Sequence, residues 1–282
     1  MKFNSVHIEA RDLDDAWYQL LYNINKFGRE YRIDSGSYKG HTRLEFDDAS
    51  GFIKRPHDGP LAPKMPESST LPVPTDVESI QNYFANYLLD PNLKPDEEYR
   101  YSTWINGQML EYPQYCQDCK CSNLYWKDDA FGTNQYFCKM NHKNLINVTE
   151  CPNKKPNTQL EWCIDHFQKR GYGNNHCYIN IGDRYSCLAY DKPYKTEAKR
   201  GTSPCLRGID LKIKEKTLIL GVVFRSWDLY GGFPENMGGF TLLNEYISSQ
   251  LDDVKPGPLT FKSQGLHCYD FQLEILKQRL NK

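Results

Sequence analysis

The sequence lacks a surplus of charge of either sign: 35 Lys and Arg stand against 36 Asp and Glu, a formal net charge of −1. A protein that works by non-specific attraction to nucleic acid or acidic membrane needs a strong positive surplus, so that class is set aside. No run approaches the roughly 18 consecutive apolar residues of a membrane span, and the mean hydropathy is −0.72. Met1 to Ala10 holds no apolar signal-peptide core, and there is no internal repeat. These absences point to a soluble, cytoplasmic protein with no membrane contact and no strong nucleic-acid signal. Its 282 residues suffice to bury a core in one large domain or two modest ones. Cysteine is not scarce, and it is unevenly placed: of ten, five fall between Cys116 and Cys151.

Periodicity gives the elements. Asp12 to Phe27 places Leu13, Ala16, Trp17, Leu20, Leu21 and Ile24 on one helical face, with acids at the front and Gly28 at the end. Thr42 to Phe46 is extended. Six prolines, at 56, 60, 63, 66, 72 and 74, bar any helix from Lys54 to Pro74; the stretch is either a loop crossing a site or a surface tether. Thr75 can cap a helix over Asp76 to Leu89 that buries Ile80, Tyr83, Phe84, Tyr87 and Leu88. Thr158 to Arg170 is helical with Leu160, Trp162, Cys163, Ile164 and Phe167 inward. Strands are expected at Cys177–Ile181, Leu211–Lys214, Thr217–Phe224 and Leu259–Lys262, the second and third joined by a turn at Glu215-Lys216. Thr217–Phe224 is apolar almost throughout, as in a strand covered on both faces. Helices are expected at Asn236–Gln250 and Tyr269–Leu280. The fold class is α+β with one irregular insertion, dividing the chain into 1–114, 115–152 and 153–282.

The insertion is rich in cysteine and poor in aliphatic residues, so it can hardly form a core unaided. Cys116-x2-Cys119 aims two thiolates at one ion, and Cys138 and Cys151 complete a tetrahedral zinc site; Cys121 or His142 can replace one of them. An iron–sulfur centre uses the same thiolates, and disulfides are the third reading, disfavoured in a cytoplasmic setting.

Three blocks in the last third carry chemistry. The first is Ser203-Pro204-Cys205-Leu206, entering a strand; a lone cysteine there also reads as a small buried residue. In the second, Arg225-Ser226-Trp227-Asp228-Leu229-Tyr230-Gly231-Gly232-Phe233-Pro234-Glu235-Asn236, an apolar strand ends in charge that must meet a ligand or itself, and Arg225 with Asp228 can be a structural pair. The third is His267-Cys268-Tyr269 before the last helix.

Together, in this order and spacing, the blocks resemble the thymidylate synthase family over roughly Gln159 to Leu280, with wording closer to its divergent microbial or archaeal-type members. The resemblance implies the family's mixed sheet packed with helices, a homodimer, a deoxypyrimidine nucleotide and 5,10-methylenetetrahydrofolate or a related pterin as substrates, and transfer of a one-carbon unit to C5 of the pyrimidine, dUMP to dTMP. By the same resemblance Cys205 is the nucleophile that adds to C6, and Arg225 sits beside it, binding phosphate and favouring the thiolate. Ser226 adds a phosphate donor, Asp228 contacts the pterin, and Asn236 reads the pyrimidine edge. His267 and Tyr269 hold the ribose 3′-hydroxyl. Tyr101 corresponds to the family's tyrosine near the proton-abstraction step.

The sequence also departs from the family. Where the family has an arginine pair completing the phosphate site, this chain reads Gly173-Asn174-Asn175-His176; Arg170, His176, Arg184 and Arg207 are the substitutes available. The loop 34–43 offers Lys39 or Arg43 for phosphate, or is a simple turn. The family's glutamate near C4 and C5 has no match beyond Glu78, which also reads as an exposed helical residue. Two rivals follow: a pyrimidine-nucleotide hydroxymethylase with the same Cys205 chemistry, in which water captures the exocyclic methylene, and a non-catalytic homologue that binds a nucleotide or a partner.

Overall fold

The computed structural model describes residues 3–34, 38–64, 73–95, 97, 99–107, 109, 158–183, 186 and 203–280, with the backbone of a hairpin at 124–127 and 135–138. The expected zinc ligands Cys116, Cys119 and Cys151, the alternatives Cys121 and His142, and Arg184 lie outside the described residues. Of Cys138 the backbone alone is described, paired with Leu124.

The strands are β1 (Ser5–Ala10), β2 (Arg29–Arg32), β3 (Thr42–Phe46), β4 (Asp48–Ile53), β5 (Leu124–Lys127), β6 (Gln135–Cys138), β7 (Tyr178–Asn180), β8 (Leu206–Lys214), β9 (Thr217–Phe224), β10 (Trp227–Asp228), β11 (Lys255–Ser263) and β12 (Leu266–Tyr269). The helices are α1 (Leu13–Phe27), α2 (Val77–Asn82), α3 (Ser102–Ile105), α4 (Gln159–Arg170), α5 (Gly232–Ser249) and α6 (Leu273–Arg279). Two sheets organise the molecule, one in the order β1-β4-β11-β9-β8-β7 and one in the order β10-β12-β3-β2. Both mix parallel and antiparallel pairs: β1 with β4, β11 with β9 and β10 with β12 are parallel. The expected α+β class is therefore present. Among the described residues no helix is long and apolar enough to cross a membrane.

α1 forms as its periodicity dictates. Asp12 accepts from Asp15 N at the front, Gly28 N closes on Ile24 O, and all six expected inward residues are buried. Trp17 donates its indole N–H to Leu229 O at 2.9 Å, tying the first helix to the strand pair β10–β12. The β8–β9 hairpin turns at Glu215-Lys216, both at positive φ (48° and 58°), and pairs Lys214 with Thr217.

Several expectations need correction. The cap of α2 is Asp76, which accepts from Ser79 N at 2.7 Å, and not Thr75. The helix then widens into a π-helical segment, Tyr83–Leu89. Trp162 is not inward: it is 38% exposed and stacks on His166. β9 is not covered on both faces. It alternates, burying Leu218, Leu220, Val222 and Phe224 and leaving Ile219, Gly221 and Val223 half-buried. α5 starts at Gly232, so Asn236 lies in its second turn and does not open it.

Candidate active site

The register of β8 and β9 brings two of the blocks together. Leu206 pairs with Phe224, and Arg225 N donates to Cys205 O at 2.9 Å. The Arg225 side chain donates from Nη2 to Ser203 O (2.7 Å) and from Nε to Pro204 O (3.1 Å), while Arg207 Nη2 reaches Ser203 Oγ (2.9 Å). The Cys205 turn is thus clamped by two guanidinium groups. Cys205 is half-buried, and that burial pushes its thiol above the usual range; Arg225 and Arg207 pull it down without reversing it. Arg225 and Arg207 act toward the thiolate, but desolvation is the larger effect.

A tyrosine cluster closes over this turn. Tyr83 and Tyr87 stack at 5.4 Å, and Tyr101 lies 5.2 Å from Tyr87 and 5.8 Å from Tyr99. Tyr101 is buried and its Oη accepts from Leu206 N at 3.3 Å, next to Cys205. Burial raises the hydroxyls of Tyr87, Tyr99 and Tyr101, and a charge on Cys205 raises each further. Arg100, 2% exposed, holds the segment that carries Tyr99 and Tyr101: it bonds both Glu97 oxygens, Asn86 O at 3.0 Å and Asp90 Oδ2 at 3.2 Å.

Three of these tyrosines border a cleft of about 570 Å³, lined by Ser79, Asn82, Tyr83, Asn86, Tyr87, Tyr101, Glu235 and Asn236. Asn236 Oδ1 accepts the Trp227 indole N–H at 2.8 Å. Glu235 is half-buried, and desolvation together with Asp76 raises its carboxyl. The Tyr83 hydroxyl is buried beside the Asn236 side chain, and desolvation raises it well above its usual range.

Asp228 sits where β10 meets β12, opposite His267. Its Oδ1 accepts from Tyr230 N (3.0 Å) and Gly231 N (3.4 Å), and Gln272 Nε2 lies 3.2 Å from both oxygens. Burial still leaves its carboxyl above the normal range. His267 is 3% exposed; Nδ1 is 2.8 Å from Gly265 O, Nε2 is buried without a partner, and desolvation lowers the imidazole to about 4. Tyr269 is half-buried and stacks with Phe271 and against Tyr38 (4.4 Å); burial and the nearby Asp228 push its hydroxyl up to about 12, with a smaller contribution from Cys205.

The site residues expected from sequence therefore fall in one region: Cys205, Tyr101, Arg225 and Arg207 around the thiol, Asn236 in the adjoining cleft, and Asp228, His267 and Tyr269 along β10–β12. Ser226 is half-buried in the turn between β9 and β10. Arg43 lies across from Tyr269 on β3, with Nε 2.6 Å from Glu45 Oε2. Lys39, Arg170 and His176 are exposed, and His176 instead meets His166 at 3.2 Å. Glu78 is exposed on α2 and does not line the cleft. Sequence reasoning missed Glu235, although it lies inside the quoted block, and missed Tyr83 and Tyr87 as cleft residues, although their i,i+4 spacing puts them on one face. Among the described residues no cluster of His, Cys, Asp or Glu is arranged to hold a metal ion.

No protein-family model matches the chain. Three methanogen proteins provisionally named thymidylate synthase do. That of Methanosarcina mazei is 32% identical over 272 residues and that of Methanosarcina barkeri 32% identical over 270 residues. That of Methanosarcina acetivorans is 23% identical over 270 residues. Each alignment covers 96% of this chain and 92% of the relative.

Proposed function

The chain belongs to the thymidylate synthase family, and on that premise we propose that it transfers a one-carbon unit from a methylene-folate to C5 of a pyrimidine deoxynucleotide, converting dUMP to dTMP. The observation that carries the reading is Cys205 in a turn held by Arg225, Arg207 and Tyr101, with Tyr101 also lining the cleft that holds Asn236.

Cys205 adds as thiolate to C6 of the ring, and the electrons released make C5 nucleophilic. Because the thiol is raised by burial, the reactive form is drawn out by Arg225 and Arg207, whose charges also suit the nucleotide phosphate. Asn236 offers its Nδ2 donors to O4, since Oδ1 already accepts from Trp227. Tyr101, its Oη accepting from Leu206 N next to Cys205, takes the role of the tyrosine near the proton-abstraction step. Ser226 adds a donor to the phosphate, and His267 and Tyr269 form the sugar side. The folate supplies the one-carbon unit. The chemistry of Asp228 fits its pterin: a buried carboxyl, held in place by Gln272 and two backbone N–H groups, that keeps acceptor capacity at Oδ2.

Two further elements of the reading rest on narrower support. The half-buried Ile219, Gly221 and Val223 of β9 suit a homodimer that packs this face against a second copy. A structural zinc on Cys116, Cys119, Cys138 and Cys151 is supported by their spacing alone.

The test is incubation with 5-fluoro-dUMP and methylenetetrahydrofolate, followed by mass spectrometry. A covalent adduct on Cys205 is expected, absent in Cys205→Ser; no adduct with the intact protein would sink the mechanism. Product analysis from dUMP and dCMP separates methylation from hydroxymethylation.

A further inference from the structure

We propose that Cys163 and Cys177 are a redox-active dithiol, a site of reversible disulfide formation that staples α4 to the start of β7. The reaction read at Cys205 uses neither cysteine, so the proposal stands apart from it.

Three observations carry it. First, the fold brings the two sulfurs together. Cys163 lies on the inward face of α4 and Cys177 just before β7, and both are fully buried. Cys177 Sγ donates to Cys163 O at 3.6 Å, and the two thiols hydrogen-bond to each other. Thiols already this close need little backbone movement to bond. Among the described residues neither Cys205 nor Cys268 has a second thiol bonded to it.

Second, the pair is asymmetric. The Cys163 S–H stabilises the Cys177 thiolate, which holds Cys177 below the usual thiol range and Cys163 above it. Burial and Asp210 oppose the lowering at Cys177 without reversing it. Cys177 is thus the attacking sulfur and Cys163 the resolving one.

Third, the turn that leads into Cys177 is open. Residues 171, 173, 175 and 176 are exposed, and a Cβ added at Gly171 or Gly173 would meet nothing. Asn174 of this turn is the polar group beside Cys177, with Oδ1 3.9 Å from Sγ. Local opening of the turn lets a small molecule reach Cys177 while β7 stays paired with β8.

The step balances against a small-molecule disulfide, RSSR. The Cys177 thiolate attacks one sulfur, the S–S bond of RSSR breaks and one RS⁻ leaves. Cys163, as thiolate, then attacks Cys177 Sγ, and the second RS⁻ leaves. The two protons lost by the cysteines end on the two RSH released. The dithiol gives up two electrons and RSSR takes them; excess RSH reverses each step. The bond ties α4 to the edge of the large sheet, where Cys177 O accepts from Leu211 N at 2.9 Å. It closes a loop between residues 14 apart, so the oxidised form is the more stable.

The test equilibrates the folded protein in buffers of oxidised and reduced glutathione, quenches with acid, alkylates in denaturant and maps tryptic peptides by mass spectrometry. Cleavage after Lys169 and Arg170 parts the two cysteines. The peptides of Cys163 and Cys177 are expected joined in oxidising buffer and separately alkylated in reducing buffer, with the change reversible. Oxidation should also raise the urea midpoint of the wild type, and the part of that rise due to this bond should vanish in Cys163→Ala and in Cys177→Ala; if neither variant folds, the wild-type map decides alone. Both thiols alkylated at every glutathione ratio overturns the proposal. So does a map in which either is joined to another cysteine, or a Cys163–Cys177 bond that forms only after the protein has been unfolded.

Discussion

A single hydrogen bond gives Asn236 a direction. An indole N–H can only donate, so Trp227 must meet the amide oxygen, and the NH2 is left for the cleft. An NH2 suits the O4 acceptor of uracil and opposes the amino group of cytosine. Trp227→Phe retains an aromatic ring to stack on Phe224, 3.9 Å away, but frees the amide to turn. The preference for dUMP over dCMP in kcat/KM should then fall by about tenfold, measured by competitive tritium release; an unchanged ratio would show that Asn236 does not read the ring in this orientation. At Cys205, burial outweighs the two arginines, so iodoacetamide should label it slowly at pH 7 and faster as pH rises. Arg207→Gln should slow labelling further, read as rate against pH. The motif residues were legible because a strand-end cysteine, arginine and asparagine have few other reasons to follow one another in this order. Glu235 was not, because what marks it is its half-burial in the cleft, which is a property of the folded neighbourhood and not of the string.

At the scale of elements, the packing of α5 against the α2 region shapes the cleft. Gly238 and Gly239 sit where side chains would meet Ile80 and Tyr83: a Cβ at Gly238 would be 2.8 Å from Ile80 Cδ1, and one at Gly239 would collide with the Tyr83 ring. Gly239→Ala should cost about 1–3 kcal/mol in urea unfolding and weaken nucleotide binding by moving Tyr83; no change in either would separate this contact from the cleft. Arg100 works similarly from the other side. Arg100→Met removes the cation that Glu97 and Asp90 share and should lower the urea midpoint, an effect moderated by the exposure of Asp90, 40%. Helix faces were legible from 3.6-residue periodicity, α1 completely so. The π-helical widening, the early start of α5 at Gly232 and the short strands β1, β2, β4, β10 and β12 were not. Each is set by a partner far away in sequence, as β4 is by β1 and β11.

At the scale of the whole molecule, the acid response follows from buried titratable groups. His267 is lowered to about 4 from 6.5. Its neutral form stabilises the fold above pH 6.5, and that contribution is lost as pH falls from 6.5 toward 4. Between pH 7 and 5 the loss should be about 2 kcal/mol, seen in urea unfolding as a difference between wild type and His267→Gln. Glu45, Asp228 and Glu235 are raised by burial and act in the opposite sense, so the His267 variant is needed to isolate the imidazole. The homodimer proposal makes its own prediction: Val223→Lys on the half-buried face of β9 should yield a monomer in sedimentation, while a variant that stays dimeric would move the interface elsewhere.

The strand order β1-β4-β11 has a consequence for the protein as it is made. β4 can pair with β1 as soon as both are synthesised, but its other neighbour is Lys255–Ser263. Until that stretch has been translated, one edge of β4 offers unpaired backbone groups to any strand in reach. The nascent chain must therefore carry an open sheet edge through most of its synthesis, and a holding chaperone has its clearest target there.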